Sequence, residues 1–235
     1  MLRMVFAFWT VCGDCLGELH LGHAVPTQPR VVFISSSPAH AGTRIQVLLK
    51  KDIALIIIDI QNDFCPGGAL PVPEGDKVIP VLNRYIERFA ERNLQIFATR
   101  DWHPADHMSF QDQGGSFPPH CVQNTRGAEF HPSLRLPTGA VIVSKGDRRD
   151  FEGFSGFENT DLANVLRSKS IRLLLIGGLA TEYCVRSTVL DGLKQSFEVC
   201  LLADASRGIS SERAVEATRE MTKAGAKTIT VSDLE

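Results

Sequence analysis

The sequence predicts an α/β fold of three layers, αβα, with helices on both faces of a mainly parallel six-stranded sheet. Three observations carry this. Residues 53–58 form an unbroken apolar run, the pattern of a strand buried on both faces. Val78, Val81, Leu82, Tyr85, Ile86 and Phe89 then recur at helical spacing. The alternation of short apolar run and amphipathic segment repeats to the end of the chain, which implies right-handed βαβ crossovers.

Taken in order, the first fifty residues stand apart. Residues 1–12 hold one basic residue and a short apolar stretch, which leaves organellar targeting open. Asp14 and Glu18 follow early, and no small-residue cleavage site is evident. Cys12, Cys15, His20 and His23 lie too close together for a zinc finger. Pro26, Pro29, the serines 35–37 and Pro38 read as linker. Residues 1–50 are thus an N-terminal extension without a readable role, and residues 51–235 are the domain. Within it, strands are expected at 53–58, 96–99, 140–143, 171–176, 199–202 and 227–231. Helices are expected at 78–89, 161–167, 182–195 and 211–224. Ser211 would cap the last, with Ala214, Val215, Thr218 and Met221 on its apolar face.

The 235 residues are 43% hydrophobic and 22% charged, enough for one sizeable core. A net charge of −2 and 7% aromatic residues argue against nucleic acid or a membrane surface as partner. A homo-oligomer is left open. Six cysteines in so long a chain are too sparse for a disulfide scaffold. They indicate free thiols in a reducing compartment, hence the cytoplasm.

In parallel sheets, ligands bind beyond the carboxyl ends of the strands. There the first strand is followed by Asp59, the second by Asp101, His103 and His107, the third by Lys145, and the fourth by Cys184. Cys184 sits where a helix begins, so free N–H groups and the helix dipole would favour its thiolate, the nucleophilic form. Taken alone, it reads as well as a buried structural thiol. Asp101 and His103, two apart on an extended stretch, can share a metal, and His120 follows in a Gly/Pro-rich loop. His107 is a candidate fourth ligand. This chemistry suits one divalent ion, zinc first, with iron or manganese as alternatives.

Several pieces carry a family resemblance: residues 57–70 (I-I-D-I-Q-N-D-F-C-P-G-G-A-L), 99–107 (T-R-D-W-H-P-A-D-H), 117–122 (F-P-P-H-C-V), 127–134 (G-A-E-F-H-P-S-L), 144–146 (S-K-G) and 178–185 (G-L-A-T-E-Y-C-V). From about residue 52 onward the chain resembles the nicotinamidase/pyrazinamidase group of the isochorismatase-like cysteine hydrolases, a Rossmann-like fold. The resemblance implies hydrolysis of nicotinamide to nicotinate and ammonia through a cysteine thioester, a step of NAD salvage, with pyrazinamide also accepted. It implies a triad of Asp59, Lys145 and Cys184, and metal ligands Asp101, His103 and His120. It implies an oxyanion hole from the backbone N–H groups of Ala180 and Cys184, and a cis Leu179–Ala180 peptide. Phe64 resembles a ring that packs on the substrate, and Phe117 stands where some members carry Trp. Direct attack by a metal-activated water is the other chemical route. Two other classes remain: a related hydrolase acting on isochorismate or a carbamoyl amide, and a catalytically dead binding member.

Overall fold

The computed structural model describes residues 31–35 and 43–234. The Cys12/Cys15 and His20/His23 pairs lie outside them. A six-stranded sheet runs in the order β5-β4-β3-β6-β7-β8, and every pairing in it is parallel. Its strands are β3 (Ile53–Ile58), β4 (Gln95–Asp101), β5 (Val141–Lys145), β6 (Leu173–Leu179), β7 (Glu198–Arg207) and β8 (Lys227–Ile229). The helices are α1 (Ile79–Glu91), α2 (Leu162–Ser168), α3 (Arg186–Lys194) and α4 (Ser211–Lys223). No helix among the described residues is long and apolar enough to cross a membrane.

The central strands explain the three layers. Ile53, Leu55 and Ile57 of β3 pack into one core with Leu82, Tyr85 and Phe89 of α1. Ala54, Ile56 and Ile58 enter a second core with Leu162 of α2 and Val189 of α3. Successive side chains of a strand point to opposite faces, so an unbroken apolar run feeds both cores. Both sides of β3 are thereby closed to water, and only its carboxyl end is left for polar residues.

Three expectations are corrected. Residues 31–35, read as linker, form β1 (Val31–Ser35), antiparallel to β2 (Thr43–Val47). The V-V-F-I run has the β-branched and aromatic composition that pairs as a strand, and the neighbouring prolines and serines masked that signal. Val47 is fully buried in the first core and bridges to Leu234. On α4 the cap is Ser210, whose hydroxyl accepts the Arg213 N–H. Met221 is buried and Ala214 and Thr218 half-buried, as expected; only Val215, 52% exposed, leaves the face, and Ala217 is buried in its stead. The helix expected from residue 182 opens one residue earlier, as a π-turn at Thr181–Val185 that continues into α3.

Candidate functional site

The carboxyl ends of β3, β4, β5 and β6 deliver four side chains to one buried cluster. Asp59 follows β3 in the left-handed region (φ 49°), a conformation Asp tolerates better than most residues. Its Oδ1 accepts the Thr99 hydroxyl at 2.6 Å. Lys145 ends β5 opposite Asp101 in register. Its Nζ lies 2.8 Å from Asp59 Oδ2, and it donates to Asp101 Oδ1 at 2.6 Å, to the Gly153 carbonyl at 3.2 Å and to Cys184 Sγ at 3.3 Å. Cys184 is the fourth residue of the π-turn, an insertion found often at functional sites.

The charges follow from burial and neighbours. Burial works against the Lys145 ammonium, but Asp101, Asp59 and Cys184 around it hold its pKa well above the ordinary lysine value. Burial pushes the Asp59 carboxyl upward against the pull of Lys145. Burial also pushes the Cys184 thiol well up; Lys145 opposes this, and Asp59 and Asp101 add to it. These surroundings work against the thiolate expected from the helix terminus. A turn's dipole is outweighed where the sulfur is buried beside two carboxylates. Asp59 Oδ2 faces the Lys145 ammonium at 2.8 Å. The carboxylate and the Cys184 sulfur lie within 4.8 Å of each other, which puts an acceptor within reach of the thiol proton.

Asp101 joins this cluster to a second one. One ligand atom from each of Asp101, His103 and His120 can lie within 4.8 Å of the others, and all three residues are buried. Nδ1 of His103 is 2.7 Å from the Gly146 carbonyl and Nδ1 of His120 is 2.8 Å from the Pro118 carbonyl. A carbonyl can only accept, so both Nδ1 atoms carry hydrogen, and each Nε2 offers its lone pair in the neutral ring. This is how metal-binding histidines are usually oriented. Gly146 is needed for the approach: at φ +59°, a Cβ there would stand 2.5 Å from His103 Cε1. Burial would raise the Asp101 carboxyl, but Lys145 and then His103 outweigh it and keep the group ionised. Two neutral imidazoles and a carboxylate fit a divalent cation. Asp59, Asp101 and Cys184 also converge, but the Lys145 ammonium already fills their centre.

His107 stands apart. Its Nδ1 is 2.7 Å from Ser109 Oγ and its Nε2 is 2.8 Å from the Phe151 carbonyl, so neither nitrogen is free for the cluster. Gln61 has a part that the sequence reading did not assign. Its amide pairs with the main chain of Asp101 in both directions, each bond 2.8 Å. Asp63 accepts the Cys121 N–H at 2.7 Å, beside the ligand His120.

Above both clusters lies a pocket. Phe64, Leu70 and Val72 line it, and so do Phe117, Phe154 and Tyr183, whose ring centres are 5.9 to 6.5 Å apart. Cys184 and the two histidines line it, and the Leu179–Ala180 peptide beside the thiol is cis. Phe154, Tyr183 and Ile209 were not anticipated. The first had a faint signal, since residues 151–157 set three phenylalanines among glycines.

A pocket lined by four aromatic rings, by the Cys184 thiol and by the Asp101, His103 and His120 cluster fits a hydrolase for small acyl compounds. The isochorismatase domain model matches residues 53–233, and the chain belongs to that family. A nicotinamidase of Escherichia coli is 39% identical over 205 residues, covering 77% of this chain and 96% of that protein. The crystal structure of the pyrazinamidase of Pyrococcus horikoshii in complex with zinc is 55% identical, with a TM-score of 0.74, covering 76% of this chain and 99% of that one. PnC1 from L. infantum in complex with nicotinate is 33% identical, with a TM-score of 0.77, covering 81% and 98%.

Proposed function

We propose that this chain hydrolyses nicotinamide to nicotinate and ammonia, and pyrazinamide likewise. The chemistry belongs to the domain placed at residues 51–235, whose core also takes in Val47 of β2 from the preceding stretch. The observation that carries the reading is the sharing of Asp101. It belongs to the Lys145 charge network and to the metal-ligand cluster, so the thiol and a ring-holding site are built as one unit. Relatives that act on nicotinamide and pyrazinamide support the choice of substrate.

Cys184 Sγ attacks the amide carbon while its proton passes to the Asp59 carboxylate. Lys145 holds Asp59 in place and offsets the negative charge that forms on sulfur. The backbone N–H groups of Ala180 and Cys184 receive the oxygen of the tetrahedral adduct. As the C–N bond breaks, Asp59 returns its proton to the departing amine, and ammonia leaves a thioester on Cys184. Water, deprotonated by Asp59, cleaves the thioester to nicotinate and restores the thiol. Asp101, His103 and His120 would hold the divalent ion, zinc first among the candidates, which supplies a Lewis-acid seat for the pyridine nitrogen. Phe64 and Phe117 clamp the ring faces.

The test is ammonia release from nicotinamide by purified protein, with metal content measured alongside, before and after chelation. Release that stops on chelation and returns with zinc is expected. Release from a carbamoyl amide but not from nicotinamide would overturn the substrate.

A further inference from the structure

The turn that carries Cys184 also carries Glu182, which the mechanism does not use. Glu182 is only 9% exposed. Its Oε1 accepts the backbone N–H of Ser210 at 2.9 Å. Its Oε2 is buried and has no hydrogen-bond partner among the described residues. A buried carboxylate oxygen without a partner is costly and calls for an explanation.

The geometry supplies one. Ser210 is the cap of α4, and the residue before it, Ile209, lines the substrate pocket. The carboxylate therefore ties the nucleophile's turn to a segment that lines the pocket. Its place at the start of α4 is also where a helix favours negative charge. Gly208 shows how tight the junction is: a Cβ there would stand 2.4 Å from Glu182 Oε2 and 2.7 Å from Ala214 Cβ. A second link runs parallel to the first. The Arg213 guanidinium, on the first turn of α4, lies 5.4 Å from the centre of the Tyr183 ring, which is part of the pocket wall.

We infer that Glu182 is a positioning residue. It sets the Cys184 turn and the Ile209 segment in one fixed relation, so that Sγ stays at Lys145 and in register with the pocket lining. The inference rests on the proposed thiol chemistry, so its test needs a readout that does not depend on the substrate.

Glu182→Ala, Glu182→Gln and Gly208→Ala are compared with the parent for kcat and KM with nicotinamide, metal content, and the rate of Cys184 alkylation by iodoacetamide followed by mass spectrometry. In Glu182→Ala, kcat should fall by about tenfold or more, since small misplacements of a reacting group are expensive. Cys184 alkylation should slow as the sulfur drifts from Lys145, and metal content should hold. Glu182→Gln keeps an oxygen for the Ser210 N–H and should retain kcat within about threefold of the parent, the scale of one modest hydrogen bond. Gly208→Ala keeps the carboxylate but displaces it, and should repeat the alanine pattern even if Glu182→Ala fails to fold. Parent-like kcat and alkylation in both alanine variants would overturn the tether, as would equal impairment of the alanine and glutamine variants. A parent that releases no ammonia from nicotinamide overturns the substrate reading instead, while the alkylation rates still judge the tether.

Discussion

The two sides of the pocket floor are built on opposite plans. The metal-ligand side comes from one stretch of chain, residues 101–120, and its polar atoms are tied down. Both histidines rest on backbone carbonyls and Gln61 braces the Asp101 main chain. The thiol side is gathered from four strand ends, and it sets the Asp59 carboxylate within reach of a thiol whose pKa burial raises. A ligand site profits from atoms already locked in place. A proton-transfer site needs an acceptor within reach of the proton. Asp101 joins the two plans, which makes it possible to break each side while watching the other.

The largest effect is expected from the thiol side. Cys184→Ala should lower turnover by at least about 10⁴-fold, the scale seen when a nucleophile is removed. Metal content should stay at the parental level, because the sulfur is no part of the histidine cluster. Loss of metal in this variant, read by elemental analysis, would show that the sides are not separable.

The reverse experiment is His103→Ala. It should strip the metal and raise KM for nicotinamide, while Cys184 remains alkylated by iodoacetamide at near the parental rate. Gly146→Ala is the finer version. It leaves all ligands in the chain but drives a methyl against the His103 ring, and metal affinity should fall about 10- to 100-fold, as for other outer-shell changes. Unchanged affinity would mean that the ring has room to move.

Much of this floor was legible in the chain, and the reason is chemical. Asp59, Asp101, His103, Lys145 and Cys184 all sit at or just beyond ends of apolar runs, so the strand pattern itself points to them. Phe154 and Ile209 lie in connections of irregular backbone, where no periodicity says which side chain turns inward. The upward push on the Cys184 thiol was missed because the helix start is visible in sequence, whereas the two carboxylates that crowd the sulfur come from residues 83 and 125 positions earlier. The exposure of Val215 on α4 has a similar source: a helix with few large apolar residues leaves the edge of its inner face undefined in sequence, and there Ala217 is buried where Val215 is not. The β1–β2 hairpin was hidden by the prolines and serines around it.

Within the thiol side, Thr99→Val removes the hydroxyl that Asp59 Oδ1 accepts, at little change in volume. A hydrogen bond to a charged group is worth about 1.5–3 kcal/mol, so kcat should fall roughly tenfold or somewhat more, with metal content and KM close to parental. An effect on KM alone would place Thr99 in substrate binding and take away its hold on the base.

The smallest effect probes the ring that belongs to both sides. Phe117 meets the metal-side His120 at 5.8 Å and the thiol-side Tyr183 at 5.9 Å, edge on in both cases. An aromatic pair adds about 0.5–1.5 kcal/mol beyond simple burial. Phe117→Leu should therefore raise KM for nicotinamide by a few-fold. It should change neither kcat nor metal content, since the ring touches neither Sγ nor the Nε2 lone pairs through a polar atom. A fall in kcat at constant KM would mean that Phe117 holds the two halves of the floor in register, and the pocket would then be one mechanical unit with its roof as the brace.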